Sequence, residues 1–369
     1  MQKEEFIKRV SVAIAAGKCD LFVGSGISSA SEIPSWNEVI QSLANQVGGL
    51  IVNDHDDLPM LAQYIVNNNS GNRNILRNNL IDVFDKHYQL NKNHHAIASM
   101  KIKTIWTTNY DYLIESAFQS RRFRVLSSDN DIVRQIALNE VEVVKLHSCI
   151  RGDLDQIILT QEDYENFIFK KPAILQRLRN AMTQKSFLFV GYGYRDPNIR
   201  TVMIEAMKLL KDNTQEHFII LTEPQKKEEE STTDYYQRTL RFKLWIKELN
   251  RLGIQELLIQ ENNELPDILF SIVINSRGNT VFLTGSHKIN ENTYIHDVAR
   301  ELSKIDQVIL VNGQSSGVGA LVLNEFLIEA IQNNKEIGTR IMFFPNPYSA
   351  NPQFSNNPDL IPLLKKERA

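Results

Sequence analysis

The sequence predicts an α/β protein, a doubly wound parallel sheet followed by a second, smaller sheet of the same kind. Three observations predict it. Short apolar runs recur along the 369-residue chain with helix-patterned stretches between them, the first run stops at a glycine turn, and the alternation restarts near residue 276. Strands that alternate with helices build parallel sheets, because each parallel crossover needs a helix to return the chain.

Taken in order, Phe6, Val10, Ala13 and Ile14 recur at helical spacing, and residues 20–23 then form an apolar strand halted by Gly24. Trp36, Val39, Ile40, Leu43 and Val47 restore the helical period, with Pro34 and Ser35 placed as helix starters. Residues 104–106, 141–146, 186–190, 218–221 and 254–259 read as further strands, mostly separated by helix-like stretches. Tyr236, Leu240, Leu244 and Leu249 mark a helix, and the mixed charges at 226–230 before it read as a solvated loop.

After 275–279 the pattern restarts. Residues 281–283 and 308–311 read as strands, 299–303 lie in a helix, and a glycine turn at 313–319 leads into a helix at 320–331 and an apolar run at 341–344. Pro345, Pro347, Pro352, Pro358 and Pro362 then break helix and ladder alike. Two domains are expected, 1–275 and 276–369, the second of them partial.

Composition narrows the function classes. A net charge of −3 supplies no basic field for nucleic acid, and no apolar run approaches membrane-spanning length. The amphipathic start lacks a signal-peptide core, so a cytoplasmic location is expected. Cys19 and Cys149 are the chain's two cysteines, too few for a disulfide scaffold or a four-cysteine zinc site, and no metal is expected.

Chemistry concentrates at strand ends. Gly24-Ser25-Gly26-Ile27-Ser28 follows the first strand, where glycines let the backbone approach a diphosphate and aim N–H groups at it; a tight structural turn is the competing reading. Thr107-Thr108-Asn109-Tyr110-Asp111 follows the next strand, although Thr108, Asn109 or Asp111 could equally cap the helix carrying Leu113 and Ile114. His147 follows 143–146, on the same expected edge. A lone histidine is usually structural, but three polar strand ends converging on one crevice point to a site. A fourth transition ends in Gly191-Tyr192-Gly193 and Asp196-Pro197-Asn198; the last three read as turn and helix-start residues, with ligand contact reserved for Gly191 and Gly193.

The ordered set of Gly-Ser-Gly-Ile-Ser, Ile33-Pro34, Thr-x-Asn-x-Asp, Lys-Leu-His and Gly-Tyr-Gly with Asp-Pro-Asn resembles the sirtuin catalytic domain over about residues 5 to 270. It looks most like the bacterial antiphage branch, the NAD⁺-cleaving subunits of Thoeris defence. The resemblance implies a Rossmann-like, sirtuin-like sheet that binds NAD⁺ as substrate, with Gly24 and Gly26 at the diphosphate, Ser25 and Ser28 lining the loop, and Asp111 facing the nicotinamide carboxamide. Asn109 would position ribose and water, and His147 would serve as general base. The products would be nicotinamide and ADP-ribose. Protein-deacylating relatives carry a four-cysteine zinc ribbon and a Phe-Arg pair after Ile-Pro; here Ser35, Trp36 and Asn37 stand in that region, and Ser148 replaces the glycine that usually follows the histidine. NAD⁺-dependent deacylation is the alternative, and a non-catalytic NAD⁺ or ADP-ribose sensor or scaffold is a third reading.

From about 279 the chain resembles the beginning of a SLOG domain, on Thr284-Gly285-Ser286 and Gly313 through Gly317-Val318-Gly319. That likeness implies signal-binding residues Gly285, Ser286, Gly317 and Gly319, an activating cyclic ADP-ribose made by a separate TIR-domain protein, and a homo-oligomer. Phe344 stands where the family places an arginine.

Overall fold

The computed structural model describes residues 1–53, 56–118, 121–133, 140–194, 196–210, 215–277, 280–283, 293–305, 308–312, 318–333 and 341–343. The chain divides into two compact units, the first spanning Met1–Ala98 and Ile102–Ile272, the second Ser99–Lys101 with Val273–Ala369. The helix Leu265–Arg277 runs through the boundary expected at 275/276.

The first unit holds seven strands: β1 (Cys19–Val23), β2 (Thr104–Thr107), β3 (Phe123–Leu126), β4 (Val141–Lys145), β5 (Ser186–Val190), β6 (His217–Thr222) and β7 (Ile254–Ile259). Their order is β3-β4-β2-β1-β5-β6-β7, and every pairing is parallel. The expected α/β class holds. After β4 the chain crosses to the far side of β1 to lay down β5, so the winding reverses there, and such a reversal opens a crevice at the carboxyl ends of the strands. Phe22, Trp106, Val144, Phe187 and Phe189 are fully buried in the main core, as strands covered on both faces should be.

One strand escapes the sequence reading. In β3, Val125 and Phe123 are only partly buried while Leu126 and Arg124 are buried, so the run is short and carries a charge. Arg124 is admitted because Glu142 on β4 accepts its guanidinium, and Arg177 takes the same carboxylate. Three helices between β1 and β2 form a second core: Trp36–Asn45, Leu58–Asn68 and Asn74–Phe84, packed through Val39, Leu43, Ile65, Leu80 and Tyr110. Ser35 starts the first of them with a capping box closed by Glu38. The helix Thr232–Arg251 forms as expected, but Tyr236, Leu240 and Leu244 are exposed and its buried contacts come from Ile246 and Leu249.

The second unit contains β8 (Thr280–Leu283), β9 (Ile309–Asn312) and β10 (Ile341–Phe343), all parallel in the order β10-β9-β8, with helices Thr293–Lys304 and Val318–Gln332 between them. A small core of Val308, Leu310, Leu323, Phe326 and Leu327 holds it. No helix among the described residues is long and apolar enough to cross a membrane.

Where β5 meets β6, the His217 ring stands in for a backbone acceptor, its Nδ1 taking the Phe187 N–H at 3.1 Å. Burial lowers this histidine from 6.5 to about 4. The unfolded chain therefore takes up a proton that the folded chain refuses, so stability is full above pH 6.5 and falls as pH drops toward 4. Acid should remove roughly 3 kcal/mol through this residue. Urea unfolding of His217→Asn, whose side-chain oxygen still accepts the Phe187 N–H, is expected to depend less steeply on pH than wild type below about pH 6.5; an unchanged slope would contradict it.

Candidate active site

Register brings four strand ends to one level. Val23 lies opposite both Thr107 and Val190, and Thr107 lies opposite Lys145, so the loops after β1, β2, β4 and β5 leave the sheet side by side. Polar residues that are far apart in sequence therefore meet.

The glycines of the first loop serve packing as much as access. Gly24 donates its N–H to Val190 (3.0 Å) and Gly26 to Gly191 (2.9 Å), while Ile27 and Ser28 donate to the carbonyls of Gly24 and Ser25. Four of the loop's amides are thus taken by protein, which narrows the expectation that the loop aims its N–H groups at a diphosphate. A Cβ on Gly24 would stand 2.4 Å from the Gly191 oxygen, and one on Gly191, at φ +58, would stand 2.5 Å from the Ile27 nitrogen. The β1 and β5 loops interlock backbone to backbone, which only glycine permits. Ser25, Gly26 and Gly193 are exposed.

Ser28 and Asp111 meet directly. The Ser28 hydroxyl donates to Asp111 Oδ2 (3.1 Å), and Asp111 Oδ1 accepts the Leu113 N–H (3.0 Å), so this carboxylate both fixes the turn before Leu113 and faces the first loop. His94, which sequence reasoning missed, extends the chain. The Asn91 N–H donates to its Nδ1 (3.2 Å), which leaves the proton on Nε2, 3.4 Å from Ser28 Oγ. Burial, opposed by Asp111, lowers His94 to about 4 and keeps it neutral. Nothing in the stretch around Asn91 and His94 links it to Ser28; the contact is made by the fold.

Lys145 is the second missed residue. It lies wholly buried at the end of β4, with Nζ 2.9 Å from Glu115 Oε1, and it donates to the backbone carbonyls of Asp111 and, at 3.4 Å, of Asn109. Burial alone would discharge it, but Glu115 and then Asp111 hold the ammonium above the ordinary lysine value. One cation thereby clamps the loop that carries Asn109.

Asn109 is buried, and neither its Oδ1 nor its Nδ2 has a hydrogen-bond partner among the described residues. Thr107 Oγ1 accepts its backbone N–H (3.0 Å). A carboxamide held out of water with all its hydrogen bonds unmade is costly unless a ligand completes them.

His147 follows β4 and is walled by Tyr164 and Phe167, both edge-on at 5.3 and 5.8 Å, and by Tyr110 at 6.5 Å. Its carbonyl accepts from Ile158 (3.2 Å), whose own carbonyl takes the Tyr110 hydroxyl (2.5 Å), so the β2 and β4 loops are stitched together. Nε2 lies 2.9 Å from Asp196 Oδ2, at ion-pair distance but without the alignment of a hydrogen bond. The sequence reads Asp196 mainly as a turn and helix-start residue; it does cap the helix Pro197–Leu210, and it also reaches the histidine. Ser148 adopts φ 66, a left-handed conformation that explains why glycine suits this position.

Gly285, Ser286 and Gly317 lie outside the described residues, as do Thr284, Gly313 and Phe344. Gly319 is buried in the helix Val318–Gln332. Among the described residues no group of three or more His, Cys, Asp and Glu is arranged to hold a metal ion.

A SIR2-like domain family matches residues 103–244. The chain is similar to NAD(+) hydrolase ThsA of Bacillus cereus (strain MSX-D12), at 31% identity over 359 residues, covering 93% of this chain and 74% of that protein. It is also similar to NAD(+) hydrolase ThsA of Enterococcus faecium (32% identity, covering 78% and 61%) and to Defense-associated sirtuin 2 of Bacillus subtilis (28% identity, covering 64% and 24%).

The interlocked glycines and the buried ion pair yield separate expectations. Gly24→Ala should cost roughly 1–3 kcal/mol of stability, read by chemical denaturation, because the methyl meets backbone and not a yielding side chain. Glu115→Gln leaves a buried ammonium without its counter-charge and should cost roughly 3–5 kcal/mol; a loss no larger than for an exposed ion pair would show that Lys145 is discharged in the fold.

Proposed function

We propose how this chain, which belongs to the ThsA family of NAD(+) hydrolases, performs its reaction: NAD⁺ lies across the loops after β1, β2, β4 and β5, and Asn109 and His147 act on its nicotinamide–ribose bond. The observation that carries the reading is the buried Asn109 carboxamide, which has no partner among the described residues and stands on the same carboxyl edge of the sheet as His147.

NAD⁺ is the substrate and its hydrolysis the activity. Nicotinamide departs with the electron pair of the C1′–N bond, its ring becoming neutral, and positive charge builds on the ribose. Water then adds at C1′ and gives up one proton, so NAD⁺ and water yield nicotinamide, ADP-ribose and H⁺. The site has three tasks: orient ribose, exclude competing nucleophiles and receive that proton. Asn109 supplies both a donor and an acceptor to hydroxyls of ribose or to the water. His147 accepts the proton. Asp111, with one oxygen on Ser28, faces the carboxamide of nicotinamide, and the first loop lies along the diphosphate, with the exposed Ser25 and Gly26 nearest the solvent side.

The second unit regulates the first. Its β-α-β-α-β order and the likeness of residues 284–286 and 313–319 to a SLOG domain support binding of a cyclic ADP-ribose signal, made by a separate TIR-domain protein. The enzyme works in the cytoplasm as a homo-oligomer, and the relative named as a defence-associated sirtuin supports a role in antiphage defence, where depletion of NAD⁺ halts the infected cell. A signal acts here by binding one conformation or assembly better than another.

Nicotinamide and ADP-ribose released from NAD⁺ are to be followed chromatographically, with and without cyclic ADP-ribose isomers. An isomer should raise the wild-type rate, and Asn109→Ala and His147→Ala should each lower turnover by roughly 10²- to 10⁴-fold. Undiminished hydrolysis in both variants would overturn the site; the same rate with every isomer would overturn the regulator.

A further inference from the structure

We infer that Asp196 is a positioning residue for His147, holding the imidazole with Nε2 toward its carboxylate so that Nδ1 is the nitrogen left to receive the proton. The inference rests on the reading of His147 as the general base.

The geometry supplies the argument. Asp196 divides its two oxygens between two tasks. Oδ1 accepts the N–H groups of Asn198 (2.8 Å) and Ile199 (3.3 Å) and so caps the helix Pro197–Leu210. Oδ2 lies 2.9 Å from His147 Nε2, and neither of these two atoms has an aligned hydrogen-bond partner among the described residues. Both side chains are nearly closed to solvent, at 5% and 7% exposure. In such surroundings a carboxylate oxygen is left without compensation unless a proton is delivered to it, and the imidazole N–H lies at the distance to deliver one. A small rotation of the ring aligns the pair, as catalytic hydrogen bonds often tighten only around substrate.

The rest of the wall makes the arrangement rigid. Tyr164 and Phe167 meet the imidazole edge-on and leave it little room to turn over. The Asn198 side chain donates to the Tyr164 carbonyl (3.2 Å), which ties the helix carrying Asp196 to the segment that walls the histidine. Tyr110, Tyr164 and Tyr192 stand close enough to Asp196 for its charge to raise their phenols further, on top of the effect of burial, which keeps these neighbours neutral. The carboxylate thus fixes which nitrogen carries the proton and stabilises the imidazolium formed when that base accepts another, the division of labour found wherever a carboxylate orients a catalytic histidine.

Asp196→Asn preserves volume and an oxygen for the helix cap, since asparagine caps about as well as aspartate, while it removes the charge and turns an N–H donor toward His147 in place of the acceptor oxygen. In the full chain, kcat for NAD⁺ hydrolysis should fall roughly 30- to 1,000-fold while KM stays within about 3-fold and the unfolding midpoint stays close to wild type. Asp196→Ala, which loses cap and charge together, should lose both kcat and stability. The inference is overturned if Asp196→Asn keeps half or more of the wild-type kcat, if it raises kcat, if KM changes in place of kcat, or if its activity falls only in step with its unfolding midpoint. Full activity in His147→Ala would instead overturn the assignment of the base, and the two failures are read on different variants.

Discussion

Alignment of the strand ends is the constraint on which the site depends. Because β1 is paired in register with β2 on one side and β5 on the other, and β2 with β4, four loops emerge at one height from the sheet. In an antiparallel arrangement those loops would alternate between opposite edges. The reversal of winding after β4 separates the loops enough to admit a ligand, so the crevice follows from connectivity and needs no special side chain to open it. What the side chains add is orientation: a lysine that pulls two carbonyls of the β2 loop toward the end of β4, and a serine that bridges the β1 loop to Asp111.

Much of this was legible in the sequence, for a definable reason. β1, β2, β4, β5, β6 and β7 declare themselves because each is mostly apolar, even where Asp20, Glu142 or Glu256 interrupts it, and a polar residue just beyond such a run stands on the ligand edge. That rule drew attention to Asn109 and His147, and their roles came from the resemblance to the sirtuin domain. β3 did not declare itself, because Arg124 splits its three apolar residues and Arg121 and Arg122 precede them, which leaves no apolar run. Arg124 becomes acceptable only once Glu142 is beside it, and that pairing crosses 18 residues of sequence.

The same limit hid half of the site. Glu115 and Lys145 are 30 residues apart, and Ser28 and His94 are 66 apart, so neither pair leaves a local signature. Asp196 is a different case. Its neighbours Pro197 and Asn198 gave a complete explanation in terms of turn chemistry, and that explanation was correct for one oxygen of the two. A carboxylate has more acceptor capacity than a helix cap uses. The exposed face of Thr232–Arg251 carries the opposite lesson, since Tyr236, Leu240 and Leu244 have helical spacing without facing the core of their own unit.

The interlock of Gly24, Gly26 and Gly191 bears on how such chains diverge. These positions are held by the contact of one loop's backbone with another's, independently of what lies in the crevice. A descendant that lost its ligand altogether would still be selected for the same three glycines, because a side chain at any of them would push the two loops apart. The Gly-x-Gly signature therefore dates the architecture and not the chemistry, and the residues free to disappear first when the activity is lost are those whose side chains bond nothing among the described residues, Asn109 foremost.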